Sequence, residues 1–70
     1  MSRELSTIGK NIRHYRKKLG LSQDKLSKRA EVVYNTIVKI ESGENQNPTI
    51  GTAQKIGKAL SVSLDKLTKE

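Results

Sequence analysis

The segment VVYNTIVKIE, residues 32–41, carries the side chains best suited to engage a partner chemically. On a short helix Val32, Val33, Ile37 and Ile40 turn inward, and Tyr34, Asn35, Val38 and Lys39 turn outward. The outward set combines a phenol, an amide that both donates and accepts, two methyl groups and an ammonium. Its chemistry is hydrogen bonding, apolar contact and positive charge. Bond-making chemistry is poorly supplied by comparison. His14 is the only histidine and lies amid Arg13 and Arg16, whose charges disfavour a metal cation, and no three-ligand zinc set can be assembled. Glu4, Asp24, Glu31, Glu41, Glu44, Asp65 and Glu70 are scattered over capping, turn and terminal positions, without the close carboxylate pair that acid–base catalysis needs. There is no glycine-rich phosphate loop. The residues point to no enzyme, no metal and no cofactor.

Charge gives the outward face a setting. Residues 1–30 hold nine Lys or Arg against two acids, a net +7, while residues 31–70 balance five against five. A surface that binds a polyanion on one side has that asymmetry, and so does a charged surface that only keeps the chain in solution. Seventy residues make one small domain, near the lower limit for a fold held by its own core. It is expected to span 1–70, with a core over about 5–67 and an N-terminal arm at 1–4. Cysteine is absent, so packing rather than disulfides must sustain it. No apolar run approaches the roughly 20 residues that cross a bilayer, and the start MSRELSTIGKNIRHYRKK lacks a signal-peptide core. A soluble cytoplasmic protein is expected, with no membrane attachment.

The elements that must position residues 32–41 read as five helices and no strand. Leu5, Ile8, Ile12, Tyr15 and Leu19 fall at steps of 3, 4, 3 and 4, one stripe on a first helix. LGLS ends it, with Gly20 suited to the left-handed C-terminal position and Ser22 to the next N-cap. Leu21 and Leu26 then have the spacing of a hydrophobic staple, and a second helix follows over about Gln23 to Ala30. VSLDKL, residues 62–67, repeats the order of LSQDKL, residues 21–26, so Ser63 should cap a short last helix stapled by Val62 and Leu67. ESGENQNPT is the one substantial loop. After it Thr49 caps a fourth helix whose Ile50, Ala53, Ile56, Gly57 and Leu60 face inward. Only two residues separate Ala30 from Val33. So tight a connection makes the second and third helices cross at a large angle, the helix-turn-helix arrangement, whose second helix can enter a DNA major groove.

Residues 8–67 resemble the lambda-repressor-like, Cro/repressor-type (XRE) helix-turn-helix family of bacterial and phage transcription regulators. The resemblance is carried by R..LGLSQ..L, I..IE.G, the following NP and IGKALSVSLDKL, in that order and spacing. It implies an all-α, compact five-helix domain and a sequence-specific double-stranded DNA-binding regulator, a repressor on an inverted-repeat operator. Tyr34, Asn35, Val38 and Lys39 are then the base-contacting side chains. Asn pairs with adenine, Lys donates to guanine, and the Tyr ring or Val methyls meet a thymine methyl. Gln23 matches a phosphate-binding position at the start of helix two, where a helix N-terminus already favours anions. Val33 and Thr36 lie at the margin of the face, and Asn45, Gln46 and Asn47 occupy the loop that follows the DNA backbone. Lys10, Arg13 and the arm at Ser2 and Arg3 either add phosphate contacts or are solvated. Arg16 and Glu41 match a partly buried ion pair that orients helix three. Glu31 stands where the family usually has Gly, Val33 replaces a Ser or Thr cap, and Ser27 replaces an Ala, changes that can shift the start of helix three by a residue.

One short helix reads too few base pairs to single out a genomic site, so a homodimer is expected. Leu64 and Leu67 on the last helices are its surface, unless they belong to the core. No small-molecule effector site is evident. The alternative from another class is a protein-interaction module, antitoxin-like or regulatory, that sets the basic face against an acidic protein. An RNA-binding role is disfavoured because an A-form major groove does not admit a helix.

Overall fold

The computed structural model describes residues 7–69. Among these the chain forms five α-helices and no strand: α1 Thr7–Lys18, α2 Gln23–Ala30, α3 Tyr34–Ser42, α4 Ile50–Leu60 and α5 Leu64–Thr68. The all-α architecture read from the apolar spacing is the one found, and α2 has the expected bounds. Leu5 and the arm residues Ser2 and Arg3 lie outside the described residues.

Three of the helices stop in the same way. Gly20, Glu31 and Ser61 each adopt a left-handed conformation, with φ of 72°, 58° and 61°. At each stop the left-handed residue's N–H donates to the carbonyl three residues back (Lys17, Lys28, Lys58), and the next N–H donates to one five back (Arg16, Ser27, Gly57). This paired bonding satisfies the last carbonyls of a helix and turns the chain so that the next residue returns to the core. Those next residues are Leu21, Val32 and Val62, all partly buried against the core. Ser22, Thr49 and Ser63 then start α2, α4 and α5, each side chain accepting the backbone N–H three residues on. The shared order of LSQDKL and VSLDKL therefore has a structural meaning: one connector geometry, used twice.

Ile12, Leu26, Ile37, Ile40, Ile56 and Leu67 are fully enclosed, one or more from every helix. Three assignments from periodicity change, and one open assignment is resolved. Leu19 is 49% exposed, because α1 ends at Lys18 and the turn at Gly20 hands the inward position to Leu21. Ile50 is 68% exposed; it occupies the first residue of α4, where the stripe continues but no described element covers it. Val33 is 69% exposed, since it is the N-cap that precedes α3 rather than a residue riding on its inner face. Leu67, expected with Leu64 either as a dimer surface or as part of the core, has no exposed area and belongs to the core, whereas Leu64 is partly buried. Ala59, outside the expected stripe, is buried as well.

Gly57 and Gly51 share a helix and should respond oppositely to Ala. A Cβ at Gly57 would lie 2.9 Å from the Val62 carbonyl oxygen and 3.3 Å from Leu67 Cδ1. The α4–α5 turn must shift to admit it, so Gly57→Ala should destabilise by about 1–3 kcal/mol despite the better helix propensity of Ala. A Cβ at Gly51 meets nothing within 4 Å, and Gly51→Ala should stabilise by about 0.5–1 kcal/mol. Urea unfolding of both variants checks the pair, and two shifts of the same sign would contradict the packing described.

Candidate nucleic-acid interface

Three residues, Glu31, Val32 and Val33, join α2 to α3. Glu31 holds φ 58° and ψ 42°, a conformation that strains any side chain with a Cβ by about 1 kcal/mol or more. Glu31→Gly should therefore raise stability by about 1 kcal/mol, visible as a melting temperature some 4–8 °C higher. An unchanged melting temperature would show the strain to be absorbed elsewhere. Val33 forms the N-cap at φ −57° and ψ 136° and supplies no side-chain bond to the helix. At the other end Gly43, with φ 88°, donates to the Ile40 carbonyl at 3.2 Å.

Between these limits Ile37 and Ile40 anchor the inner face of α3, fully buried. Tyr34, Asn35 and Lys39 are exposed on the other side, Tyr34 by 46%, and Val38 and Thr36 flank them, both half-buried. The exposed face is one that a partner can reach without the core opening.

The helix presenting that face is fixed by a buried ion pair. Arg16 donates from Nε to Glu41 Oε2 at 2.7 Å and from Nη2 to Oε1 at 2.9 Å. Its Nη1 donates to the Leu21 carbonyl at 2.8 Å. Two parallel bonds between planar groups set an angle as well as a distance. Arg16 retains 9% exposure and Glu41 5%, so water screens the pair little. A further member joins them, because Gln23 Nε2 donates to Glu41 Oε1 at 3.2 Å. The group links α1, the start of α2 and the last turn of α3.

The other candidate side chains divide by element. Lys10 and Arg13 are exposed on α1, where the steps of 3 and 4 from Lys10 to Lys17 put all three cations on one face. Gln46 and Asn47 are exposed in the loop after α3. Asn45 is half-buried there, its N–H on the Lys39 carbonyl at 3.0 Å and its Oδ1 accepting from the Asn47 N–H at 3.1 Å. His14 is exposed and lies edge-on to Tyr15, and no group of His, Cys, Asp or Glu among the described residues could hold a metal. No described helix is long and apolar enough to cross a membrane.

Sequence reasoning missed Asn11. Its amide donates to the carbonyls of Leu67 at 2.7 Å and Lys69 at 2.8 Å, with Lys66 at 3.3 Å, and so fastens the end of α5 to α1. The signal was faint: Asn is a poor helix former, and one in mid-helix often has a partner elsewhere.

Two successive helices joined by a three-residue turn, the second with its outer face open and its inner face buried, define a helix-turn-helix protein. The chain belongs to the HTH_3 helix-turn-helix family, whose model matches residues 12–67. It is 35% identical over 63 residues to the HTH-type transcriptional regulator SinR of Bacillus licheniformis, covering 90% of this chain and 57% of that one. It thus spans little more than half of that relative's length. The solved N-terminal DNA binding domain of SinR from Bacillus subtilis superposes with a TM-score of 0.88 at 34% identity, over 91% of this chain and 93% of that one. A crystal structure of SinR in complex with DNA matches with a TM-score of 0.86 at 34% identity, over 89% and 98%.

Proposed function

We propose that this chain is a sequence-specific DNA-binding regulator of transcription that places α3 in the major groove of duplex DNA. The observation that carries the reading is the exposed Tyr34, Asn35 and Lys39 face on a helix held at a fixed angle by the Arg16–Glu41 pair. A major groove is wide enough for one helix and presents the donors, acceptors and methyl groups that such a face can match. Likeness to SinR, called a transcriptional regulator and crystallised with DNA, supports it.

In this reading Asn35 bonds an adenine edge, Lys39 a guanine edge, and Tyr34 and Val38 contact thymine methyls. Val33 and Thr36 sit beside the backbone. Gln23, Lys10, Arg13, Asn45, Gln46 and Asn47 hold phosphates, and the neutral loop leaves most of the charge to α1. The protein acts by occupying DNA, not by catalysis, and works as a cytoplasmic repressor. Because α3 alone spans few base pairs, two chains occupy an inverted repeat with half-sites about one helical turn apart. Leu64 is open to the pairing surface and Leu67 is not.

Selection from a randomised duplex library tests the reading. An enriched inverted repeat, bound far more tightly than scrambled DNA, is the expected result. Asn35→Ala should then weaken binding by about 1–3 kcal/mol and lose preference at one position of each half-site. Lys10→Ala or Arg13→Ala should weaken all duplexes alike and lower the slope of log affinity against log salt by about 0.9 for each phosphate no longer neutralised. A library that returns no consensus would overturn the proposal in favour of an acidic protein partner.

A further inference from the structure

Glu41 has no exposed face to offer DNA, yet its carboxylate is shared between two donors that lead in different directions. Arg16 occupies both oxygens from the core side. Gln23, the first residue of α2, reaches the same Oε1 from the half-exposed side. A primary amide carries two hydrogens on one nitrogen in a fixed plane. When one is held by Glu41, the direction of the other is no longer free. The backbone N–H of Gln23 lies at the same helix end, where the first amides have no partner within the helix and the dipole favours an anion.

From this geometry we infer that Glu41 is a positioning residue for phosphate binding: through its bond to Gln23 it aims the second amide hydrogen outward, so that a buried ion pair that never touches DNA sets the strength of one backbone contact. The inference rests on the DNA-binding reading and deepens it. Arg16 is essential to the arrangement. With both guanidinium bonds in place the carboxylate is neutralised, and an incoming phosphate is not repelled by it. The same carboxylate lies in the last turn of α3, so the phosphate anchor at the start of α2 and the pitch of the recognition helix are set by one group.

The test uses the enriched duplex with a neutral methylphosphonate substituted at each backbone position in turn. One phosphate per half-site should show a loss of about tenfold with the wild-type protein, the size of a hydrogen bond to a charged group. In Gln23→Ala that loss should fall to about twofold, because the side-chain bond is already absent. In the paired variant Arg16→Met/Glu41→Met, which keeps Gln23, it should fall as far. A paired variant that retains the full Gln23-dependent loss while other phosphates behave as in wild type would overturn the inference. Since that variant can fail to fold, the free wild-type protein supplies a second measurement. The Gln23 side-chain amide protons should exchange with solvent more slowly than those of Gln46 and Gln54, which are exposed. Equal exchange rates in all three would also overturn it. Neither outcome touches the major-groove reading, which fails only if selection returns no consensus.

Discussion

Arg16→Ala should destabilise the protein by about 3–5 kcal/mol, a large part of the whole stability of so small a domain. The loss has two sources. Three hydrogen bonds disappear, two to Glu41 and one to the Leu21 carbonyl. The Glu41 carboxylate, only 5% exposed, is then left buried with the Gln23 amide as its remaining side-chain donor. The second source is the greater, because an unmatched buried charge loses its hydration without replacement. Lys17→Ala removes an exposed cation one residue along and should change stability by less than about 0.5 kcal/mol. Arg16→Met/Glu41→Met should recover most of the loss, since it removes both charges and fills the space with apolar volume. Chemical unfolding of the three variants decides the matter. If Arg16→Ala and Lys17→Ala unfold together, the pair has no structural role.

Leu67→Ala should be nearly as severe, at about 2–5 kcal/mol. Leu67 has no exposed area, and its Cδ1 lies against the space above Gly57. α5 is only five residues long, too short to persist without tertiary packing. Truncating Leu67 leaves a cavity and loosens α5 from α4. The loss should be the same at protein concentrations a hundredfold apart, because the side chain packs within one chain. A loss that vanishes at low concentration, where dimers dissociate, would put Leu67 in an interface instead.

The contrast between Leu67 and Ile50 shows what periodicity carries and what it does not. Ile50 reads as part of an apolar stripe and Leu67 as the staple partner of Val62. Leu67 is enclosed because α1 and α4 both pack on α5. Ile50 lies on the stripe of α4 but sits in a first turn that no described element covers. Spacing states which side of a helix is apolar; whether a neighbour reaches that turn depends on how the helices are arranged. Val33 fails for a related reason. It is the N-cap that precedes α3, as the family resemblance placed it, and a cap residue need not follow the inner stripe of the helix it starts.

Five helices, the stop at Gly20 and the caps Ser22, Thr49 and Ser63 are legible in the sequence. The signals for these are local: a serine or threonine oxygen accepts from an amide three residues on, and a left-handed residue closes a turn through carbonyls three to five residues back. The sequence also determined which side chains of α3 face away from Ile37 and Ile40, since a helix fixes that by its own pitch. The bonds that join distant segments come from how the helices pack. Gln23 meets Glu41 across 18 positions and Asn11 meets the Leu67 carbonyl across 56. No local rule reports such pairs, because their partners are brought together only when the apolar stripes of different helices pack. The candidate interface divides along the same line: its exposed side chains follow from α3 itself, and the angle at which they are held follows from a buried network contributed by three helices.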